Sequence, residues 1–179
     1  ETKPFRSPGR AVTDDQLWRV HSEEYLQTLK TAAGIAQGCE LPPLAWLPDS
    51  LAHSRVIEPM KWAVQGTVLA GELALEHGWA INLGGGMHHA SYNRGGGWCL
   101  FSDIFLSFLE LNKHHPHVRR MTIIDLDVHQ GNGLGHSKLH SLLQIVLHTW
   151  CRSAHVLFDH GLQVRSQLLL QLGSYDPQH

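Results

Sequence analysis

The sequence has few of the features that mark secreted or membrane proteins. It contains three cysteines, Cys39, Cys99 and Cys151, and this odd, widely spaced set argues against a disulfide framework and favours a reducing compartment. No run approaches about 20 apolar residues, and no signal-peptide pattern opens the chain. We therefore expect a soluble, intracellular protein with no membrane partner.

The chain also lacks an excess of basic charge. Its formal net charge is −2 with neutral histidines, whereas proteins that bind nucleic acid use Lys and Arg to neutralise phosphates. We expect no direct nucleic-acid partner. With 179 residues, 42% of them hydrophobic, the chain is long enough to bury the core of one domain.

Local patterns predict helices that alternate with strands. Capping signals at Thr13 and Ser22 each indicate the start of a helix, and prolines predict an irregular connector over residues 41–49. Further along, the predicted elements are a buried helix over 59–77 that Gly78 closes, a strand over 79–83, a helix over 102–112 and a strand over 121–127. A strand–helix–strand order favours a parallel α/β sheet, in which ligands bind at the carboxyl ends of the strands.

The end of the second predicted strand carries the residues most indicative of chemistry. Asp127 and His129 are two positions apart, so on an extended strand both side chains point the same way. A carboxylate oxygen and an imidazole nitrogen with an open position are half of a catalytic zinc site. Asp127 taken alone is more typical of a turn or helix cap.

A histidine pair follows the first predicted strand. His88 and His89 come directly after the glycines of 84–86, and adjacent imidazoles on such a loop can act as general acid and base beside a metal-bound water. Simpler interpretations remain: these glycines and those of 95–97 can form plain turns, and Trp98 can be a core residue. His114-His115 is interpreted as an exposed loop pair, and Asp103 as a helix-start residue.

Three segments in this order resemble the core of the zinc-dependent histone deacetylases. The ending Gln130-Gly131-Asn132-Gly133 resembles class IV (histone deacetylase 11-like) more than class I, which usually has His-His-Gly-Asp-Gly there. The similarity reaches back through 13–17 and 21–26 and covers about three quarters of the chain. The segments are Asn82-Leu83-Gly84-Gly85-Gly86-Met87-His88-His89-Ala90, Arg94-Gly95-Gly96-Gly97-Trp98-Cys99, and Ile124-Asp125-Leu126-Asp127-Val128-His129-Gln130-Gly131-Asn132-Gly133.

The resemblance implies a role for each matching residue. It implies zinc on Asp127 and His129, which would polarise an acyl-lysine carbonyl and activate a bound water. His89 matches the general acid/base and His88 its electrostatic partner, which Asp125 orients. The Asp125 segment also helps hold a structural potassium ion in the family.

Three further positions complete this comparison. Asn132 stands where His89 usually has an aspartate partner, and an amide stabilises an imidazolium less than a carboxylate does, so the base role of His89 is favoured. Gly97 and Trp98 match the walls of the substrate tunnel.

The resemblance also implies a fold and an incomplete site. We expect an α/β fold with a three-layer parallel sheet and helices on both faces, as in the arginase/deacetylase architecture, with its C-terminal part missing. We expect residues 1–133 to be the N-terminal part of the catalytic domain and 134–179 to be a divergent tail that is unrelated to the family, has little periodicity and is of biological or gene-model origin. The family's third zinc ligand and its tyrosine lie further along than this chain reaches, and Asp159 and Tyr175 resemble them only superficially.

Three functions follow as alternatives. The first is a zinc amidohydrolase that removes acyl groups from lysines of proteins such as histones, in the nucleus and cytoplasm, with little or no activity in this chain. The second is an inactive, truncated deacetylase product that acts through protein partners. The third, outside the family, is a non-hydrolytic metal-binding or scaffolding α/β domain. An open sheet edge and uncovered apolar faces also predict marginal stability and aggregation.

Overall fold

The computed structural model describes residues 5–134 and, for the backbone alone, residues 143–147. The helices are α1 Asp14–Trp18, α2 Glu23–Thr28, α3 Ala32–Cys39, α4 Asp49–Ala52, α5 Glu58–His77 and α6 Asp103–His114. A 3-10 helix spans Pro42–Trp46 and a π-helical segment spans His53–Ile57. The strands are β1 Met121–Asp125 and β2 Leu143–Leu147.

Both N-terminal helices begin at the residues that the sequence indicated. The Thr13 hydroxyl accepts a hydrogen bond from the Gln16 N–H, and the Gln16 side chain accepts one from the Thr13 N–H, which completes a capping box. The Ser22 hydroxyl accepts from the Tyr25 N–H at 3.1 Å. These caps satisfy N–H groups that have no partner within the helix. The two predicted helix starts are confirmed.

The long helix α5 matches its predicted length but not its predicted burial. It ends at His77 because Gly78 adopts the left-handed conformation, with φ 86°, that closes a helix. Val64 and Val68 are its only fully buried residues, while Trp62 and Leu75 are substantially exposed. The prediction of a buried helix was therefore wrong, because this amphipathic helix packs only one face against the rest of the described structure.

Helices α5 and α6 pack closely because small residues lie between them. A Cβ built on Gly71 of α5 would lie 2.8 Å from Leu111 Cδ1 and 2.9 Å from Ser107 Oγ of α6. The buried core continues through α6 and into the N-terminal helices, where its largest fully buried side chains include Phe101, Phe105, Phe108, Leu17 and Ile35.

The predicted strand over 79–83 does not form. The segment is irregular, and Ile81 and Leu83 are largely exposed. A strand requires a hydrogen-bonded neighbour, and within the part of the chain that the structure describes, the only sheet pairs β1 with β2. The local pattern indicated the extended, apolar character of this segment, but among the described residues no strand lies beside it.

The two strands form a parallel pair in the register Met121 with Leu143 through Asp125 with Leu147. Strand β1 ends at Asp125, two residues earlier than predicted. Strand β2 lies in the segment after residue 133 that was expected to show little periodicity, so that expectation missed an element. The division of the chain at residue 133 stays a prediction.

Two connecting regions are more ordered than predicted. The segment 41–49 contains the 3-10 helix Pro42–Trp46. Contrary to the prediction, His114 and His115 do not lie on a free loop. His114 is the last residue of α6, and the Glu72 carboxylate of α5 lies 2.9 Å from His114 Nδ1 and 2.6 Å from His115 Nε2. Burial raises the pKa of Glu72, but the hydrogen bonds with the two histidines outweigh it and leave that pKa below its usual value.

Among the described residues, none of the helices has the length and apolar character needed to cross a membrane.

Candidate active site

The glycine-rich loop before the histidine pair is held by a buried carboxylate. Asp103, at the first position of α6, accepts the Gly86 N–H at 2.8 Å and the Met87 N–H at 2.9 Å. It also accepts the Thr67 hydroxyl of α5 at 2.6 Å. Asp103 therefore starts a helix, as predicted, and it also fixes the loop that presents His88.

His88 is oriented by Asp125 at the end of β1. Its Nδ1 lies 2.7 Å from Asp125 Oδ2, and both side chains are largely buried. A carboxylate can only accept here, so Nδ1 carries the proton and Nε2 faces the other way. His88 Nε2 lies 4.0 Å from Asp127 Oδ1. The loop that carries the histidine pair therefore lies beside the end of β1, as the sequence predicted for the strand over 121–127.

His89 makes the corresponding contact with an amide. Its Nδ1 lies 2.9 Å from Asn132 Oδ1, which leaves Nε2 free. The rings of His88 and His89 lie 4.1 Å apart, and the ring of His89 lies 6.2 Å from that of His129. The structure thus brings side chains of two separate sequence segments, 88–89 and 125–132, to one place.

Asp127 and His129 contact each other, although they do not lie on a strand. Asp127 Oδ1 accepts the His129 N–H at 2.7 Å and lies 3.0 Å from His129 Nδ1, and Asp125 Oδ1 accepts the Asp127 N–H at 3.0 Å. These bonds between residues two apart bend the chain after β1. The prediction that an extended strand aligns Asp127 with His129 was therefore wrong in its mechanism, although the side chains do meet.

Local hydrogen bonds set the electrostatics of Asp127. The backbone N–H of His129, and then its ring, hold the pKa of the Asp127 carboxyl below its usual value. The two side chains remain half to three-quarters exposed, at 50% and 73%. An ionised, accessible carboxylate beside an imidazole suits a divalent cation.

The donors for a metal are nevertheless incomplete within residues 5–134. No group of three or more His, Cys, Asp or Glu side chains there is arranged to hold a metal ion. Asp127 and His129 supply an oxygen and a nitrogen donor, so they fit part of a zinc site. Asp159 and Tyr175, the superficial matches to the remaining functional groups, lie outside the described residues.

A cavity of about 440 Å³ opens beside His89 and His129. Gly97 and Trp98, the two predicted tunnel positions, both line it, and Trp98 is half exposed. Trp98 is therefore not a core residue. Its backbone is left-handed, with φ 67°, a conformation that is costly for residues other than glycine and that is enriched at active sites.

Glycines let the surrounding loops approach the histidines closely. A Cβ on Gly97 would lie 2.6 Å from His89 Cδ2, and one on Gly131 would lie 2.5 Å from Asp125 Oδ2. A Cβ on Gly133 would overlap the Ala90 carbonyl oxygen. Gly97, Gly131 and Gly133 are thus required by close packing, and Gly97 does not serve only as part of a flexible turn.

The cysteine that follows Trp98 is not suited to act as a nucleophile. Burial raises the pKa of the Cys99 thiol, and burial likewise raises the pKa of Cys39 to about 11. Both thiols are free and stay protonated near neutral pH. Cys151 lies outside the described residues.

Sequence reasoning missed two charged residues that line the cavity, Glu40 and Arg94, and the network around Asp103. Arg94 stands directly before the glycines of 95–97, which was the available signal for it. Nothing local in the sequence indicates that Glu40, about fifty residues earlier, reaches the same cavity.

The histone deacetylase domain model matches residues 2–151. Histone deacetylase 2 of Arabidopsis thaliana is 49% identical over 137 residues, which are 74% of this chain and 34% of that protein. A probable deacetylase of Methanothermobacter thermautotrophicus is 35% identical over 130 residues, 72% of this chain and 37% of that protein. The chain thus spans about a third of the length of these curated relatives.

Solved structures agree with the expected fold class. The crystal structure of a histone deacetylase homologue from Aquifex aeolicus aligns with a TM-score of 0.55 at 25% identity, over 80% of this chain and 38% of that one. The fold class is confirmed as α/β of the arginase/deacetylase type, covered in part. From the match of the domain model across most of its length, this chain belongs to the histone deacetylase family.

Proposed function

We propose that this chain carries the acid/base half and part of the zinc site of a class IV lysine deacylase. One observation carries the proposal. His88 and His89 are adjacent, each has its Nδ1 held by a separate acceptor, and Asp127 and His129 lie next to them. This arrangement leaves two Nε2 atoms for proton transfer beside two metal donors.

In this proposal His88, His89 and the two metal donors have different catalytic roles. His89 takes a proton from the attacking water and returns one to the leaving lysine nitrogen, as a general base and then a general acid. His88, whose proton is fixed on Nδ1 by Asp125, stabilises the charge that develops beside it. Zinc held by Asp127 and His129 would supply Lewis acidity to the acyl carbonyl and to the water.

The partner of His89 supports the class IV assignment. Asn132 holds the His89 tautomer through an amide oxygen, where a carboxylate would also stabilise the imidazolium. A weaker stabilisation of the charged ring favours the neutral form, and therefore the base role. Gly97 and Trp98 would pack along the methylenes of the substrate lysine, since both line the cavity.

The proposed substrates are acyl-lysine proteins such as histones, in the nucleus and cytoplasm, with a structural potassium ion near Asp125. We propose that this chain alone turns over such substrates only near background. Two donors hold zinc more weakly than three, and loss of one oxyanion donor typically costs on the order of 10²–10³ in rate.

Turnover of acetyl- and longer acyl-lysine peptides tests the proposal. The chain is assayed as it is and as a fusion in which the matching C-terminal part of the Arabidopsis histone deacetylase 2 follows Asn132. We expect activity in the fusion that a chelator removes and that His89→Ala or Asp127→Ala abolishes, while a control substitution at exposed Arg55 leaves it unchanged. Activity that persists in His89→Ala would refute the assigned roles. Chelator-sensitive turnover by the unfused chain would refute the inactive interpretation and make Asp159 the first residue to mutate.

A further inference from the structure

Arg94 lines the cavity beside His89 and is exposed. Its backbone is anchored, because its carbonyl accepts the Ser91 N–H at 2.9 Å and lies 3.3 Å from the Ser91 hydroxyl. Within residues 5–134, its guanidinium forms no hydrogen bond or ion pair. A fixed backbone thus presents an unpaired cation to the cavity.

A carboxylate of the same cavity does not neutralise this cation. Glu40 also lines the cavity, and its Oε1 would lie 3.2 Å from a Cβ on Gly96. Glu40 and Arg94 do not form an ion pair with each other. The backbone of Glu40 is left-handed, with φ 57° and ψ 33°, at the end of α3 where glycine is the usual residue. A residue other than glycine that is held in this backbone conformation beside a cavity indicates a functional position.

Three glycines, at positions 95–97, line the cavity together with Arg94 and His89. The space that side chains would fill at Gly96 and Gly97 lies next to Glu40 and the His89 ring. Without these side chains, the cavity is continuous from the guanidinium to the acid/base histidine. A substrate whose acyl-lysine reaches His89 therefore lies in the same cavity as Arg94.

We propose that Arg94 is a specificity-determining residue that selects a carboxylate in the cavity beside His89, an inference that rests on the proposed deacylase function. The planar guanidinium offers paired N–H donors that match a carboxylate, which a lysine ammonium does not. The carboxylate has two sources: the far end of a dicarboxylic acyl group on the lysine, or an Asp or Glu that flanks the acyl-lysine in the peptide.

Fluorescence anisotropy with labelled peptides tests this on the full chain at low ionic strength. One pair of peptides carries succinyl-lysine or butyryl-lysine, and a second pair carries acetyl-lysine flanked by Glu or by Gln. We expect the carboxylate member of one pair to bind about threefold more tightly than its neutral twin, the range of an exposed ion pair. The peptide pair whose two members differ in affinity identifies the source of the carboxylate that Arg94 binds. This difference in affinity should become smaller as salt is added.

Three variants complete the experiment. Arg94→Gln should remove the preference, and Arg55→Gln, which removes the same charge from an exposed position outside the cavity, should retain it. Glu40→Gln should increase the preference for the carboxylate peptide, because it removes from the cavity a negative charge that repels the peptide's carboxylate.

Equal binding within both pairs, or a preference that survives in Arg94→Gln, would overturn the inference while binding of the neutral peptides still supports the deacylase site. Failure of all four peptides to bind would overturn the proposed function, and this inference with it.

Discussion

Gly97 is the residue on which the position of His89 most directly depends. A Cβ there would lie 2.6 Å from His89 Cδ2, and the backbone φ of 51° is itself unfavourable for other residues. Gly97→Ala should therefore displace the His89 ring and lower the free energy of unfolding by about 1–2 kcal/mol. Imidazole signals in NMR spectra and urea unfolding measure the two effects.

Gly9 provides the matched control, because a Cβ there meets nothing within 4 Å. Gly9→Ala should leave both the histidine signals and the unfolding free energy unchanged. If Gly97→Ala behaves like Gly9→Ala, the close approach of this loop to His89 is not present in solution.

His21 makes stability depend on pH. It is buried, its Nε2 accepts the Ser102 N–H at 2.9 Å, and burial lowers its pKa from 6.5 to about 4 against the opposing effect of the Ser91 and Tyr92 backbone. As pH falls below 6.5, the unfolded chain takes up a proton that the folded chain refuses until about pH 4. Stability should therefore be lost between these values, by up to roughly 3 kcal/mol.

Urea unfolding at pH 7, 5.5 and 4.5 measures this loss. His21→Gln keeps an acceptor for Ser102 but does not titrate, so its unfolding free energy should change less over the same range. Parallel pH profiles for the two proteins would show that His21 does not remain neutral when folded.

At the scale of elements, Asp103 connects the long helix, the glycine-rich loop and the start of α6. It is fully buried and accepts from Thr67, Gly86 and Met87. Asp103→Ala would leave these donors without a partner and should lower the free energy of unfolding by about 3 kcal/mol. Hydrogen exchange should also become faster at the Gly86 and Met87 amides.

Asp15→Ala serves as the control, since Asp15 is an exposed acidic residue in the first turn of α1. It should change stability by no more than about 0.5 kcal/mol. An equal, small effect of both substitutions would mean that Asp103 is only a helix-start residue.

The elements that sequence predicted correctly depend on local chemistry. Thr13 and Ser22 cap helices through residues three positions away, and Gly78 ends α5 through its own backbone conformation. The strand expected over 79–83 depends on a neighbouring strand, which no local pattern reveals, and it does not form. The same reason hid the pairing of β1 with β2.

The site shows the same division between local and distant contacts. The family resemblance brought together His88, His89, Asp125 and Asn132, and the structure places them in contact. Their roles stay a prediction. Glu40 reaches the cavity only through the path of α3 and its left-handed end, so no motif could have indicated it.

On the surface of the molecule, the described residues expose several large apolar side chains, some in the segment 79–83 and others in or directly after β1. Leu83 is 92% exposed, Leu126 is 71% exposed, and Ile81, Ile124 and Val128 are also mostly exposed. Such surface favours self-association. We expect strong binding of a hydrophobic dye and a melting temperature that depends on protein concentration. A cooperative, concentration-independent melt with little dye binding would contradict this.

Isothermal titration calorimetry with zinc tests whether Asp127 and His129 form part of a deacetylase zinc site. We expect the chain to bind zinc weakly, and we expect Asp127→Ala and His129→Ala each to reduce this affinity by about tenfold or more. His114→Ala, which removes another accessible imidazole that pairs with Glu72, should leave it unchanged. Binding that survives both substitutions at Asp127 and His129, or that is lost in His114→Ala, would place the metal elsewhere and contradict the account.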